Sequence, residues 1–198
     1  MTAIEKFYVE NKVVVITGGA GLLGCKHAEA VIEGKGIPVL LDISQTALNT
    51  ADNKLKEKYG NTCKIEAYVT DITKREEIET LADVLMEKYG HIDALINNAA
   101  NNPKVEGNAA NMKAIQFENF PLHMWMEDIA VGLTGAFVCA QVFGNRMAKQ
   151  GKGVILNISS DLGIIAPDQR IYRKDGLTEE QQTVKPVTYS VIKHGLIG

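Results

Sequence analysis

Short runs of consecutive apolar residues alternate with longer amphipathic stretches along most of this chain. Val13-Val14-Val15-Ile16 is the first run, closed by a glycine cluster, and Leu22 to Val31 follows with helical spacing. The pattern then repeats: Ile37 to Leu41 predicts a second strand, Gln45 to Tyr59 a polar amphipathic helix, and Cys63 to Val69 a third strand. Thr73 to Tyr89 predicts another helix, with Thr73 as its cap and Glu76 and Glu77 in its first turn. Ile92 to Ile96 and Val154 to Ile158 are the fourth and fifth strands, separated by a long helix from about Pro121 to Lys149. Strands that read as unbroken apolar runs are those covered on both faces, because alternation disappears when neither face meets water.

Strands alternating with helices in this way predict an α/β fold built on a doubly wound parallel sheet of the Rossmann type, a single domain over residues 1–198. Two stretches break the rhythm. Asn101 to Phe120 is polar, Asn-rich and poorly periodic, and Asp161 to Lys185 carries Pro167, Asp168, Gly176 and a cluster of charges. Loops of this length inside a compact domain are uncommon and usually functional. They follow the fourth and fifth strands, at the carboxyl ends where open α/β sheets bind ligands, so they are expected to wall a pocket.

Composition narrows the partners. With 45% hydrophobic and 23% charged residues the chain can bury one sizeable core, and a net charge of -3 leaves no basic footprint for nucleic acid or an anionic membrane. Cys25, Cys63 and Cys139 are odd in number, widely spaced and outside metal-ligand spacing, which favours reduced core thiols. The amino terminus has no apolar signal core and no stretch approaches a membrane span, so a cytoplasmic location is expected.

After the first strand comes Thr17-Gly18-Gly19-Ala20-Gly21-Leu22-Leu23-Gly24. Its Gly-x-x-Gly-x-x-Gly spacing differs from the Gly-x-Gly-x-x-Gly fingerprint, yet it stands where that motif stands, between a first strand and a first helix. Glycines there permit a tight turn and let helix-start amides approach a pyrophosphate. Asp42 ends the second strand, 18 residues beyond Gly24, close to the spacing of the acid that bonds an adenosine ribose. Its charge would repel a 2′-phosphate, so NAD is preferred over NADP; helix capping is the alternative role, although Ser44 is also placed to cap. Asp71, after the third strand, suits either a cap or a cofactor edge.

Near the other end, Tyr189-Ser190-Val191-Ile192-Lys193 puts a phenol and an ammonium four residues apart, neighbours on one helical turn. An ammonium beside a phenol favours the phenolate, and such a phenol is a proton donor and acceptor. A surface pair at the same spacing fits the two residues equally well.

Taken together, TGGAGLLG, Asp42, Asp71, Asn97-Asn98-Ala99-Ala100, Ile158-Ser159-Ser160 and YSVIK resemble the short-chain dehydrogenase/reductase family in identity and order, across essentially the whole chain. The resemblance implies an NAD(P)-dependent oxidoreductase that exchanges hydride with a small alcohol or carbonyl. It implies Thr17, Gly18, Gly21, Leu22, Leu23 and Gly24 at the pyrophosphate, Asp42 at the ribose, Asp71 and Ile72 at the adenine, and Asn97 and Ala99 near the nicotinamide end. It makes Ser160 the substrate-oxygen holder, Tyr189 the acid/base, and Lys193 its helper and a ribose ligand. No metal is implied, and a homo-oligomer is expected by analogy.

Three departures accompany the resemblance. Gly132 stands where the family often carries an Asn on the long central helix. The interval from Ser160 to Tyr189 is 29 residues, longer than usual, and resembles members from flagellin- or polysaccharide-modification pathways, which suggests a sugar-derived substrate. Family members also continue beyond the helix begun at Tyr189, so a C-terminally incomplete domain is expected. A dinucleotide-binding module with little turnover, and a relative of nucleotide-sugar epimerases and dehydratases, are the alternatives.

Overall fold

The computed structural model describes residue 2, residues 5–101 and residues 113–198. Most of the polar segment predicted over 101–120 therefore lies outside the described residues. Five parallel strands form one sheet in the order β3-β2-β1-β4-β5. They are β1 (Val13–Thr17), β2 (Ile37–Asp42), β3 (Glu66–Val69), β4 (Ala94–Asn97) and β5 (Val154–Asn157). The helices between them are α1 (Leu22–Glu33), α2 (Gln45–Tyr59), α3 (Arg75–Tyr89), α4 (Leu122–Ile129) and α5 (Ala136–Lys149), with α6 (Val187–Gly195) last. This is the doubly wound sheet that the alternating pattern predicts. Within it the chain separates into two compact units, one of residues 1–99 and 135–157, the other of residues 100–134 and 158–198.

The first unit holds the sheet. Strand β1 is buried at every position, because Val14 and Ile16 face a cluster with Ala28 and Val31 of α1 and Leu48, Ala51 and Leu55 of α2. Its other residues, Val13 and Val15, are equally buried, so no position alternates with a polar one. Helix α5 lays Cys139, Val142, Phe143 and Met147 inward beside β4, β5 and α3. Asp93, just before β4, ties the start of β1 in place: its carboxylate accepts from Val13 N–H at 3.0 Å and from Lys12 Nζ at 2.9 Å.

Several expectations are corrected by the structure. Strand β3 starts at Glu66 rather than Cys63. Helix α3 starts at Arg75 with Lys74 at its cap position, because the Thr73 hydroxyl is spent on Asp71 Oδ1 at 2.7 Å. Strand β5 is exposed along its length, since it ends the sheet and no described strand pairs with its outer edge. The central helix runs from Leu122 to Lys149 as expected, but passes through a π-helical turn, Ala130–Gly135. The expectation that no stretch approaches a membrane span also fails: Leu122–Lys149 is helical throughout and long and apolar enough to cross one, with mean hydropathy 1.4. The same apolar character serves the buried α5 face just described.

Candidate active site

In the first unit the glycine turn folds back on itself between β1 and α1. Gly18 takes φ +62°, a left-handed conformation that only glycine adopts at little cost, and a Cβ there would stand 3.0 Å from Ala99 Cα. Gly24 sits one turn into α1, where a Cβ would run into the Gly18 carbonyl oxygen and come within 2.7 Å of Gly19 Cα. The turn therefore brings backbone to backbone, and no larger residue fits at Gly24. Gly21 occupies the cap position of α1 and offers no side chain. The first amides of a helix have no intrahelical acceptor, so Leu22 and Leu23 N–H are oriented as anion donors. Leu22 and Leu23 are 83% and 54% exposed, so the start of α1 is open to solvent.

The segment after β4 is fastened to this turn. Thr17 Oγ1 accepts from Asn98 and Ala99 N–H, both at 3.0 Å, and Asn98 Nδ2 donates to the Thr17 and Gly18 carbonyls at 2.9 and 3.2 Å. Asn98, which sequence reasoning passed over in favour of its neighbour, is thus the residue that holds the turn. Asn97 points inward, donating to Asn157 Oδ1 at 2.9 Å and to the Ala136 carbonyl at 3.3 Å. Its Oδ1 is buried without a partner among the described residues.

Asp42 ends β2 as expected, whereas Asp71 lies two residues beyond the end of β3 at Val69. Asp42 Oδ1 accepts from Ser44 N–H at 3.1 Å, and Ser44, not Asp42, caps α2 through Ala47 N–H. Asp71 Oδ1 accepts from the Thr73 hydroxyl and amide, and those bonds, with Lys74 nearby, hold its carboxyl below the usual range. Ile72 beside it is buried.

In the second unit, Tyr189 and Lys193 occupy successive turns of one face of α6, with Lys193 Nζ 5.7 Å from the Tyr189 ring centroid. Lys193 is only 5% exposed and donates to the Ile158 carbonyl at 2.6 Å. Burial lowers its pKa, and the positive charge of Lys185 lowers it further. Lys185 Nζ lies closer still to the phenol, 3.7 Å above the ring centroid, a cation–π contact that the sequence spacing did not suggest.

Ser160 stands at the predicted place, yet its hydroxyl is engaged locally. It donates to Asp161 Oδ1 at 2.7 Å and accepts from Leu162 N–H at 3.2 Å, capping the turn Asp161–Gly163. The Ser160 hydroxyl and Leu162 amide hold the Asp161 carboxyl below its ordinary range. That turn packs against α6, where Ser159 Oγ donates to the Lys193 carbonyl at 2.8 Å. Helix α4 lies along α6 through two layers of contact. Thr188 Oγ1 donates to the buried carboxylate of Asp128 at 2.6 Å, and one turn on, Gly132 meets Ile192.

A family model described as short chain dehydrogenase covers residues 12–172. The post-translational flagellin modification protein A of Campylobacter coli is 29% identical over 95% of this chain and 68% of its own length. An NAD-dependent glycerol dehydrogenase of Listeria innocua is 33% identical over 84% of this chain and 59% of its own. A solved NAD+-bound xylitol dehydrogenase superposes with TM-score 0.75 at 25% identity, over 97% of this chain and 62% of that one. The chain spans between 51% and 68% of the length of the curated relatives it matches. With the family match running from the start of β1 past the Ser160 turn, the chain belongs to the short-chain dehydrogenase/reductase family.

Proposed function

We propose that this chain forms the cofactor-binding and proton-handling part of an NAD-dependent oxidoreductase that interconverts an alcohol and a carbonyl. The observation that carries this reading is the Tyr189 and Lys193 pair on one face of α6, with the Lys193 ammonium pinned to the Ile158 carbonyl. When bound, NAD would supply the hydride acceptor for oxidation and, reduced, the donor for the reverse. The residues present suit such a group. The turn that close backbone contact at Gly18 and Gly24 shapes would cradle a pyrophosphate beside Leu22 and Leu23 N–H. Thr17 and Gly21 shape that cradle, Asp42 would bond the ribose and repel a 2′-phosphate, and Asp71 and Ile72 would edge the adenine. Asn97 and Ala99 would border the nicotinamide end.

Tyr189 takes the proton of the alcohol oxygen in oxidation and returns it in reduction. Lys193, held by burial and by Ile158 with its Nζ 5.7 Å from the Tyr189 ring centroid, would favour the negative charge left when the phenol gives up its proton. Ser160 would hold the substrate oxygen by exchanging its bond to Asp161 for one to the ligand. The names of similar proteins, a flagellin modification protein, a glycerol dehydrogenase and a D-threitol dehydrogenase, favour a polyol or other sugar-derived substrate. A cytoplasmic homo-oligomer without nucleic acid or membrane partners completes the reading.

The test is NADH and NADPH fluorescence titration, followed by oxidation of a panel of sugar alcohols by the wild type and by Tyr189→Phe. NADH binding and a loss of turnover in the variant of about a hundredfold or more are expected from removal of an acid/base group. Equal turnover by the two proteins would overturn the assignment of Tyr189. Gly132 and the engaged Ser160 hydroxyl favour a second reading, a dinucleotide-binding module with little turnover. NADH binding with no turnover on any panel alcohol decides for that one.

A further inference from the structure

The long segment between Ser160 and Tyr189 builds a cavity of about 730 Å³ within the second unit. One wall is Ile115 to Glu118, another is Ala166, Pro167, Gln169 and Arg173 with Glu179 and residues 182–185. The third is α6, which presents Val187, Ser190, Val191 and His194. Those four positions share one helical stripe at i, i+3, i+4 and i+7. Tyr189 and Lys193 lie on another stripe and do not line the cavity.

The walls are built rather than loose. Gln169 clamps the backbone of Lys185 twice, from Nε2 to its carbonyl at 3.1 Å and from its N–H to Oε1 at 2.9 Å. Gln182 is buried and makes three bonds to backbone, receiving Lys174 N–H and donating to the Lys174 and Leu177 carbonyls. Gln116 Nε2 reaches the Glu179 carbonyl at 2.8 Å, and Arg173 pairs with Glu179. The polar side chains of the wall are thus largely consumed in holding it.

Two are not. Thr183 Oγ1 and Ser190 Oγ are both buried with no hydrogen-bond partner among the described residues, and both residues line this one cavity. An unmade hydrogen bond at a buried hydroxyl is costly, and a χ1 rotation between staggered wells is enough to turn either oxygen inward. The remaining surface is mainly apolar, from Ile115, Phe117, Ala166, Pro167, Val184 and Val191. Its charged residues balance, Glu118 and Glu179 against Arg173 and Lys185, so the lining favours no net charge on a ligand. The volume falls within the range of small-molecule sites, which are apolar with a few placed polar groups.

We propose that this cavity is a second binding site, separate from the Tyr189 and Lys193 stripe, for an uncharged and mainly apolar ring-sized molecule bearing a carbonyl or hydroxyl oxygen. Ser190 and Thr183 bond that oxygen, while Phe117, Pro167 and Val191 enclose the body. Binding is read without turnover, so its failure is distinct from failure of the oxidoreductase reading.

The probe is prodan, an uncharged naphthalene ketone whose emission moves to the blue in apolar surroundings. The full chain is expected to bind it saturably at one site, with no displacement by NADH. Val191→Trp and Ala166→Trp, which fill the cavity from two walls, should each weaken binding by about tenfold or more, the effect of about 1.4 kcal/mol. Ser190→Ala combined with Thr183→Ala, which removes only oxygens and tests the site without crowding it, should weaken binding by about two- to tenfold, the worth of an ordinary hydrogen bond. No saturable binding, unchanged affinity in the oxygen-deleted variant, or displacement of prodan by NADH would overturn the proposal.

Discussion

Gly132→Ala is the perturbation with the most definite expected sign. A Cβ at Gly132 would stand 2.7 Å from Ile192 Cγ2, 2.9 Å from Cδ1 and 3.3 Å from Cγ1. Ile192 cannot swing clear, because a β-branched side chain in a helix is held to one χ1 well and this one is 3% exposed. Overpacking of this kind costs about 1–3 kcal/mol. Replacing glycine by alanine in a helix returns about 0.5–1 kcal/mol, so a net loss of up to about 2.5 kcal/mol follows, or a fall in Tm of up to about 10 °C for a chain of this size. Ile192→Ala removes all three clashing carbons and costs about 2–5 kcal/mol by leaving a cavity. In that background Gly132→Ala should become stabilising by its helix gain, giving a coupling of about 1–3 kcal/mol in the double-mutant cycle. Urea unfolding of the four proteins measures it. Equal effects of Gly132→Ala in both backgrounds would refute the close helix contact.

Three further outcomes are expected. Asp42→Ser should improve NADPH affinity relative to NADH by about tenfold or more, since one charge repulsion across a few ångströms is worth about 1–4 kcal/mol near a surface; paired fluorescence titrations give the ratio, and an unchanged ratio removes Asp42 from the ribose. Burial pushes the Asp93 pKa up, but bonds from Lys12 and Val13 N–H, with His91 adjacent, bring it below the usual value of 3.8. Its stabilisation is therefore complete above that value and lost as pH falls through the lower folded one. Asp93→Asn should lower stability at neutral pH by about 1–3 kcal/mol and flatten the acid limb of the stability curve, measured by urea midpoints from pH 7 to pH 3. Cys139 is wholly buried and its thiol is pushed up to about 12, so it should stay unmodified by iodoacetamide in the folded protein at pH 8 and react once unfolded, as read by peptide mass spectrometry.

The sheet was legible because its physics leaves a local trace. Burial on both faces forces β1 and β2 to be apolar at nearly every position, and the Ser44 cap and Gly60 bound α2 where its periodicity ends. Where a side chain competes for backbone, the trace misleads. Asp71 takes the Thr73 amide and hydroxyl, so the helix that seemed to begin at Thr73 begins at Arg75. The segment between Ser160 and Tyr189 leaves almost no trace, because Gln169 and Gln182 shape it by bonding to backbone, and a glutamine carries no period. Asp128 with Thr188, and Lys185 over Tyr189, are invisible for a related reason: one joins residues far apart in sequence, and the other depends on where a flexible ammonium settles.

Gly132 shows why the two kinds of information must be combined. In sequence it is a missing side chain, at the place where the resemblance to the family leads one to expect an Asn. In the structure the same absence lets the π-helical turn after α4 lie against α6 until Gly132 backbone meets Ile192, with the Asp128 and Thr188 bond one turn away. Ile192 is the residue directly before Lys193, so the spacing of these helices fixes where the ammonium reaches the Ile158 carbonyl. Any side chain restored at Gly132 must push against that helix. The departure from the family pattern and the setting of Tyr189 and Lys193 are therefore one feature of the packing, and under the proposed function proton transfer would have to use groups other than the 132 position.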